Sequence, residues 1–192
     1  MIIGLTGKYC AGKDTVARVL ASRGYRIIDA DAIAHDVLVE QAEEVIGQFG
    51  PGVRAADGGV DRKALGRIVF ADEKARIRLE RIIHPRVVAK TKEILAKEPG
   101  DAVINAPLLH RARMHLICDA VLFVRVPAFI RLMRAMRRDS LSLGDALARM
   151  RSQGDVRPQL NGPAVDTYIV RNLGSLRSLE RRIARIDEIL RG

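Results

Sequence analysis

Residues 5–17 read LTGKYCAGKDTVA and contain the most informative pattern in this chain of 192 residues. Gly7, Gly12 and Lys13 follow the spacing G-x-x-x-x-G-K of a phosphate-binding loop. Such a loop needs glycines because its backbone N–H groups wrap around phosphates with dihedral angles and clearance that side chains would block. The lysine reaches the outer phosphates, and the helix that follows presents the positive end of its dipole to them. The pattern therefore predicts a nucleotide site.

The sequence on both sides of the loop fits this prediction. The apolar run MIIGLT (1–6) before it is typical of a buried strand. After Lys13, the residues Val16, Ala17 and Leu20 recur at helical spacing until Gly24 ends the helix. A strand, a glycine-rich turn and a helix in this order favour a nucleotide loop over a plain strand–turn–helix connection.

Asp14 stands where such loops have the serine or threonine whose hydroxyl binds Mg²⁺. Thr15 is a poor replacement because one residue further turns the side chain by about 100° around the helix. A carboxylate is a hard oxygen ligand that suits Mg²⁺, so we expect Asp14 to hold the ion directly or through water. The alternative is an acidic residue that only complements the helix dipole. Cys10, inside the loop, is either a thiol of lowered pKa or a small residue of which only the backbone matters.

Five short apolar segments are typical of buried strands. They are MIIGLT (1–6), RIIDAD (26–31), DAVINAP (101–107), DAVLFVRVP (119–127) and DTYIV (166–170). Helical segments separate them, which predicts an α/β fold with a doubly wound five-stranded parallel sheet. Ligands of such sheets bind at the carboxyl ends of the strands. That edge would hold the loop, Asp29 and Asp31 after the second strand, and APLLHR (106–111) after the third.

The segments between the strands are predicted from the same patterns. Residues 31–98 are expected to be mostly helical, with breaks at FGPG (49–52) and DGG (57–59). Residues 128–152 are predicted to form one or two arginine-rich helices. The Gly- and Pro-containing segment 154–163 is a loop long enough to be functional. A closing helix is striped by Leu176, Leu179, Ile183, Ile186 and Leu190.

Composition limits the class of protein. The length suits one domain, and 48% hydrophobic residues with 29% charged residues predict a globular chain. No apolar run reaches the roughly 18 residues of a membrane helix. Two distant cysteines without metal-ligand spacing predict a reducing, cytoplasmic setting. The formal net charge of +10 favours anionic partners, but 4% aromatic residues and no tryptophan argue against nucleic acid.

Several segments together resemble the dephospho-coenzyme A kinase family, in order and along nearly the whole chain. GLTGKYCAGKDTVA (4–17) is similar to the start of the family, and IIDADAIAHDVL (27–38) is similar to its second strand and the helix after it. The most distinctive resemblance is the block from DGG (57–59) to His84 and Pro85. APLLHR, the arginine-rich LMRAMRRD and the closing IVRNLGSLRSLERRI also match.

The resemblance implies a three-layer P-loop kinase fold over residues 1–192, with a helical substrate-binding part at about 32–98 and an arginine-rich lid at about 136–163. It implies transfer of the γ-phosphate of ATP to the ribose 3′-hydroxyl of dephospho-coenzyme A, with Mg²⁺ as cofactor. The expected catalytic residues are Lys13, Asp31, Arg134 and Arg138. The expected nucleotide-binding residues are Gly7, Lys8, Tyr9, Cys10, Ala11, Gly12, Lys13, Asp14, Thr15, Arg157 and Asn172. The expected substrate-binding residues are Asp31, His35, His84, Pro107, Leu108 and Leu109.

Two of these positions have a structural alternative. Asp31 is our candidate for the carboxylate at the acceptor hydroxyl, as base or orienting group, but it is also suited to cap a helix that starts at Ala32. His84 either contacts the coenzyme or ends a helix before Pro85 and packs there. Arg134 and Arg138 lie four residues apart and so share one helix face from which both can reach a triphosphate. Asn172, after the last strand, is expected to help hold the adenine end.

The chain also departs from the family at Asp14, at His35 where many members have Arg, and at Arg111 where many have Glu. A nucleoside monophosphate kinase or another small-molecule kinase is therefore an alternative, because GKDTVA also resembles phage-type members of that class. A second alternative is a nucleotide- or nucleic-acid-binding module without catalysis. We expect a monomer or weak homo-oligomer that binds neither membranes nor nucleic acid.

Overall fold

The computed structural model describes residues 1–152, 156–157 and 164–192. Within them the chain forms a five-stranded sheet of order β2-β3-β1-β4-β5. β1 runs parallel to β3 and β4, and β4 runs parallel to β5, which confirms the predicted α/β class with a parallel sheet. The strands are β1 (Ile2–Gly7), β2 (Arg26–Asp29), β3 (Ala102–Asn105), β4 (Ala120–Arg125) and β5 (Asp166–Arg171).

The helices follow the predicted segments closely. They are α1 (Lys13–Ser22), α2 (Ala30–Glu40), α3 (Ala42–Phe49), α4 (Arg62–Ala71), α5 (Glu73–Lys97), α6 (Ala128–Asp139), α7 (Leu143–Ser152) and α8 (Leu176–Arg191). A 3₁₀ turn, Pro51–Val53, lies at the break predicted at 49–52. The DGG segment lies between Arg54 and Val60, which form an antiparallel bridge. Most of the predicted loop 154–163 lies outside the described residues.

The chain divides into two compact units. The first, residues 1–28 with 100–192, holds the sheet with α1 and α6–α8. Its core lies between one face of the sheet, which includes the central strand β1, and the helices that cover that face. The buried side chains come from alternate positions along the strands and from one side of each helix. The largest fully buried side chains there include Leu5, Leu20, Leu179 and Ile183. Since the strands are parallel, this unit brings the loop after β1 and the carboxyl ends of β3 and β4 to one edge.

The second unit, residues 29–99, is helical, with α2 and α4 packed on α5. Two alternatives from the sequence are wrong here. The cap of α2 is Asp29, whose carboxylate accepts hydrogen bonds from the N–H groups of Asp31 and Ala32 at 2.9 and 3.2 Å, so Asp31 is not the cap. The helix around His84 does not end there either, because α5 continues through Pro85 to Lys97. Proline has no backbone N–H to donate, so α5 lacks one of its hydrogen bonds at this position and nevertheless continues.

None of the helices in the described part of the chain is both long and apolar enough to cross a bilayer.

Candidate nucleotide site

The geometry around Gly7 and Gly12 explains why both positions need glycine. Gly12 caps α1 with a left-handed backbone, φ +82°, and a Cβ there would overlap the side-chain amide of Asn172. At Gly7, φ +156°, a Cβ would lie 2.7 Å from the carbonyl oxygen of Val124 on β4. Backbone atoms cannot yield as a side chain can. Close packing against β4 and Asn172 therefore requires glycine at both positions and fixes the path of the loop, as the motif predicts.

Asn172, directly after β5, and Arg134 of α6 hold the loop in place through hydrogen bonds. Asn172 donates a side-chain hydrogen bond to the carbonyl oxygen of Ala11 at 2.9 Å. Arg134 donates to the carbonyl oxygens of Ala11 at 3.5 Å and of Asn172 at 3.3 Å. Sequence reasoning assigned Asn172 to the adenine, which stays a prediction. Its contact with a loop 161 residues away left no trace in the local sequence.

A cavity of about 420 Å³ opens beside the loop and the first turn of α1, and we call it the loop cavity. It brings together the metal candidate Asp14 and the predicted arginines Arg134 and Arg138. The full lining is Cys10, Gly12, Asp14, Thr15, Arg18, Arg134, Arg137 and Arg138. Four arginines facing one carboxylate give this cavity a strong preference for a polyanion.

Arg138 is held by its neighbour Asp139 through two hydrogen bonds, at 2.8 and 3.1 Å. Tyr9 of the loop donates its hydroxyl to the same carboxylate, and the Arg138 guanidinium lies 5.3 Å from the centre of the Tyr9 ring. The hydrogen bonds from Arg138 and Tyr9 lower the pKa of Asp139 to about 2. Arg149 of α7 also reaches Asp139, at 3.5 Å. This cluster joins the loop to the arginine-bearing helices α6 and α7, and no sequence pattern pointed to Asp139 or Arg149 in that role.

Asp14 is exposed on the first turn of α1, on the loop cavity. Within the described ranges no group of three or more His, Cys, Asp or Glu side chains comes together to hold a metal ion. Mg²⁺ in kinases is commonly held by one or two protein groups with substrate phosphates and water, so a single carboxylate at this position fits the ion. Cys10 is buried, and burial raises the pKa of its thiol; a thiol of lowered pKa is therefore wrong.

The remaining predicted residues fall in three places. Lys8 and Arg157 line a second cavity at the ends of β4 and β5. After β3, the carbonyl oxygen of Pro107 accepts a hydrogen bond from Thr6 at 2.9 Å, Leu108 is half-buried, and Leu109 is fully buried. The predicted acceptor residues of the helical unit are Asp31 and His35, both exposed, and His84, which is half-buried. Their part in substrate binding stays a prediction.

Comparison with known proteins places this geometry in a family. A family model described as dephospho-CoA kinase matches residues 1–177. The chain is 45% identical to a dephospho-CoA kinase of Moorella thermoacetica over 167 residues, which cover 83% of this chain and 79% of the relative. It is 37% identical to the enzyme of that name from Carboxydothermus hydrogenoformans, with 96% and 92% covered.

Solved structures agree with the sequence relatives. A Thermus thermophilus protein superposes with a TM-score of 0.83 at 35% identity, covering 100% of this chain and 98% of that one. The dephospho-CoA kinase of Campylobacter jejuni superposes with a TM-score of 0.60 at 31% identity, covering 98% and 96%. An Acinetobacter baumannii shikimate kinase at 18% identity and a TM-score of 0.54, with 97% and 92% covered, shares the fold.

Proposed function

This chain belongs to the dephospho-coenzyme A kinase family, and on that basis we propose that it transfers the γ-phosphate of ATP to the ribose 3′-hydroxyl of dephospho-coenzyme A. The product is coenzyme A, so the reaction is the last step of its synthesis. The observation that carries the proposal is the match of residues 1–177 to the family model, and the close packing that requires glycine at Gly7 and Gly12 of the loop supports it. Incubation with ATP and dephospho-coenzyme A, followed by ³¹P NMR, should reveal a new 3′-phosphomonoester; its absence would contradict the proposal.

The donor half of the reaction needs phosphates held in place and their developing charge neutralised. We assign the β- and γ-phosphates to the backbone N–H groups of the loop and to Lys13, the first residue of α1. Arg134 and Arg138 line the same cavity and supply positive charge toward the transferring phosphoryl group. Asp139 accepts two hydrogen bonds from Arg138 in this structure. A bound triphosphate would compete with Asp139 for that guanidinium.

The acceptor half needs a carboxylate near the ribose hydroxyl to orient it and to accept its proton. We propose Asp31 for this role because it is exposed and because Asp29, not Asp31, accepts the capping hydrogen bonds of α2. Two separate sets of residues are proposed as coenzyme contacts. The helical unit supplies His35 and His84, and the sheet-containing unit supplies Pro107, Leu108 and Leu109.

Asp31→Asn tests the acceptor role. The amide keeps the shape of the side chain but cannot accept the proton, so kcat should fall about 10²- to 10⁴-fold with little change in the KM for ATP. The matched control is Asp29→Asn, which alters the cap of the same helix. Because Asn caps a helix about as well as Asp, this variant should lose less than about 1 kcal/mol of stability. Steady-state rates and thermal unfolding of both variants check this. Full kcat in Asp31→Asn would remove Asp31 from the reaction.

Asp14→Ala tests the metal role. Loss of the carboxylate should raise the Mg²⁺ concentration needed for half-maximal rate at least about tenfold and lower kcat more than ATP affinity. Asp14→Ser is the matched control, since it restores the hydroxyl that this loop ordinarily provides and should recover most of the rate. Mg²⁺ titrations of initial rate measure both. If Asp14→Ala kept full activity at low Mg²⁺, the carboxylate would not hold the ion.

The setting of the reaction is also a proposal. We propose that Mg²⁺ is the working metal and that the protein acts in the cytoplasm as a monomer or weak homo-oligomer without nucleic acid. The location rests on the two distant cysteines, and the exclusion of nucleic acid rests on the scarcity of aromatic residues.

A further inference from the structure

A second cavity lies in the sheet-containing unit, at the carboxyl ends of β4 and β5, and we call it the β4–β5 cavity. Its volume is about 300 Å³, at the lower end of the range for small-molecule sites. Five apolar residues line it, Phe123, Val124, Val126, Val156 and Ile169. Four cationic residues also line it, Lys8, Arg125, Arg131 and Arg157, and no carboxylate of the described residues does. The cavity is therefore strongly electropositive.

Arg131 is the unusual member of this set. It lies on the buried face of α6 and only 8% of its surface is exposed. One terminal nitrogen donates to the carbonyl oxygen of Tyr9 at 3.4 Å, while its Nε has no hydrogen-bond partner among the residues the structure describes. Among the described residues, no acidic side chain forms an ion pair with Arg131. A guanidinium keeps its charge under these conditions, so its burial has a large uncompensated cost.

We propose that the β4–β5 cavity binds a phosphate-type oxyanion at a position separate from the backbone N–H groups of the nucleotide loop. Such an anion would pair with Arg131, and the exposed Arg125 and Arg157 would close over it from the rim. Guanidinium groups match tetrahedral oxyanions because their N–H donors form two parallel hydrogen bonds. Lys8 belongs to the nucleotide loop itself, so the two anion positions would be neighbours.

Two sources can supply this oxyanion. One is a phosphate of the nucleotide bound at the loop; the other is an anion that arrives separately, as free phosphate or on an acceptor. Isothermal titration separates them. In the first arm, a non-hydrolysable ATP analogue is titrated into the protein, and in the second, inorganic phosphate is titrated into protein already saturated with that analogue. Neither arm contains dephospho-coenzyme A, so their outcome is independent of whether the proposed turnover is observed.

The test variant is the double substitution Arg125→Gln and Arg157→Gln, called the Arg125/Arg157 pair. It removes two charges at the rim of the cavity and leaves the buried side chains unchanged. The matched control is Arg177→Gln with Arg181→Gln, which removes two exposed charges from α8, outside this cavity. Arg131→Gln is a third variant. Because Arg131 is buried, this variant is used only if thermal unfolding shows that it is folded. The exposed pair keeps the test valid if Arg131→Gln does not fold.

Relative to the control pair, the Arg125/Arg157 pair should bind at least about tenfold more weakly in one arm. A loss in the first arm that the single variant Arg125→Gln shares identifies a phosphate of the nucleotide as the ligand, because Arg157 alone is already expected to bind the nucleotide. A first-arm loss that Arg125→Gln does not share contradicts the proposal, and a loss in the second arm identifies a separate anion. A folded Arg131→Gln should show the same loss. The proposal is wrong if inorganic phosphate does not bind the saturated wild-type protein and the Arg125/Arg157 pair binds the ATP analogue as tightly as the control pair.

Discussion

Replacing Lys13 by methionine should lower kcat about 10²- to 10³-fold while the protein remains folded. Lys13 opens α1 directly after the loop. We propose that its ammonium group contacts the outer phosphates there and stabilises charge that develops during transfer. Methionine keeps most of the length and apolar volume of the side chain, so the change isolates the charge. The kcat and the KM for ATP should be measured together with the thermal unfolding midpoint.

Lys97→Met is the matched control, because it removes one charge from an exposed lysine at the end of α5. It should leave kcat near the wild-type value. If Lys13→Met turned over as fast as this control, the loop would not be acting as the phosphate site. A fall in kcat accompanied by a lower unfolding midpoint in Lys13→Met alone would instead indicate damage to the fold.

Gly12→Ala should cost both stability and activity. Its left-handed backbone, φ +82°, disfavours any Cβ by about 1–2 kcal/mol, and that Cβ would also displace the Asn172 side chain from the loop. A loop moved by about 1 Å can lose about 10²-fold in rate, so kcat/KM for ATP should fall by that order. Equilibrium unfolding in urea and steady-state kinetics measure the two effects separately.

Gly24→Ala separates backbone strain from loop displacement. Gly24 has a similar backbone, φ +94°, but no atom lies within 4 Å of the position its Cβ would take. It should lose a similar amount of stability and keep its kcat/KM. Equal losses of kcat/KM in both variants would show that strain alone, rather than the close packing at Gly12, accounts for the effect.

The strands and most of the helices could be predicted because their patterns are local. MIIGLT and DAVLFVRVP became β1 and β4, since short β-branched runs bounded by turns have few other structures open to them. Long-range context decided the places where prediction failed. Packing on α2 and α4 carries α5 through Pro85, which local rules treat as a stop. The cap of α2 moved from Asp31 to Asp29, a shift well within the uncertainty of helix ends.

The candidate site was predictable where a motif specifies backbone geometry. The spacing of Gly7, Gly12 and Lys13 located the loop, and a four-residue spacing placed Arg134 and Arg138 on one cavity. Contacts between distant segments were not predictable, because periodicity identifies the buried face of a helix and not its partner. Tyr9 and Asp139 meet across 130 residues. In the sequence Arg131 is one of several arginines in the predicted helical segment 128–152, and only the fold shows that it is buried.

The central claim is that dephospho-coenzyme A is the acceptor, and initial rates of ADP release with ATP and Mg²⁺ test it most directly. The panel is dephospho-coenzyme A, nucleoside and deoxynucleoside monophosphates and phosphomevalonate, each at equal concentration. Our account predicts that dephospho-coenzyme A gives the highest kcat/KM by at least about 10²-fold, because the proposed acceptor carboxylate and phosphate loop would speed transfer only to a correctly placed hydroxyl. Turnover of a monophosphate without turnover of dephospho-coenzyme A would contradict it.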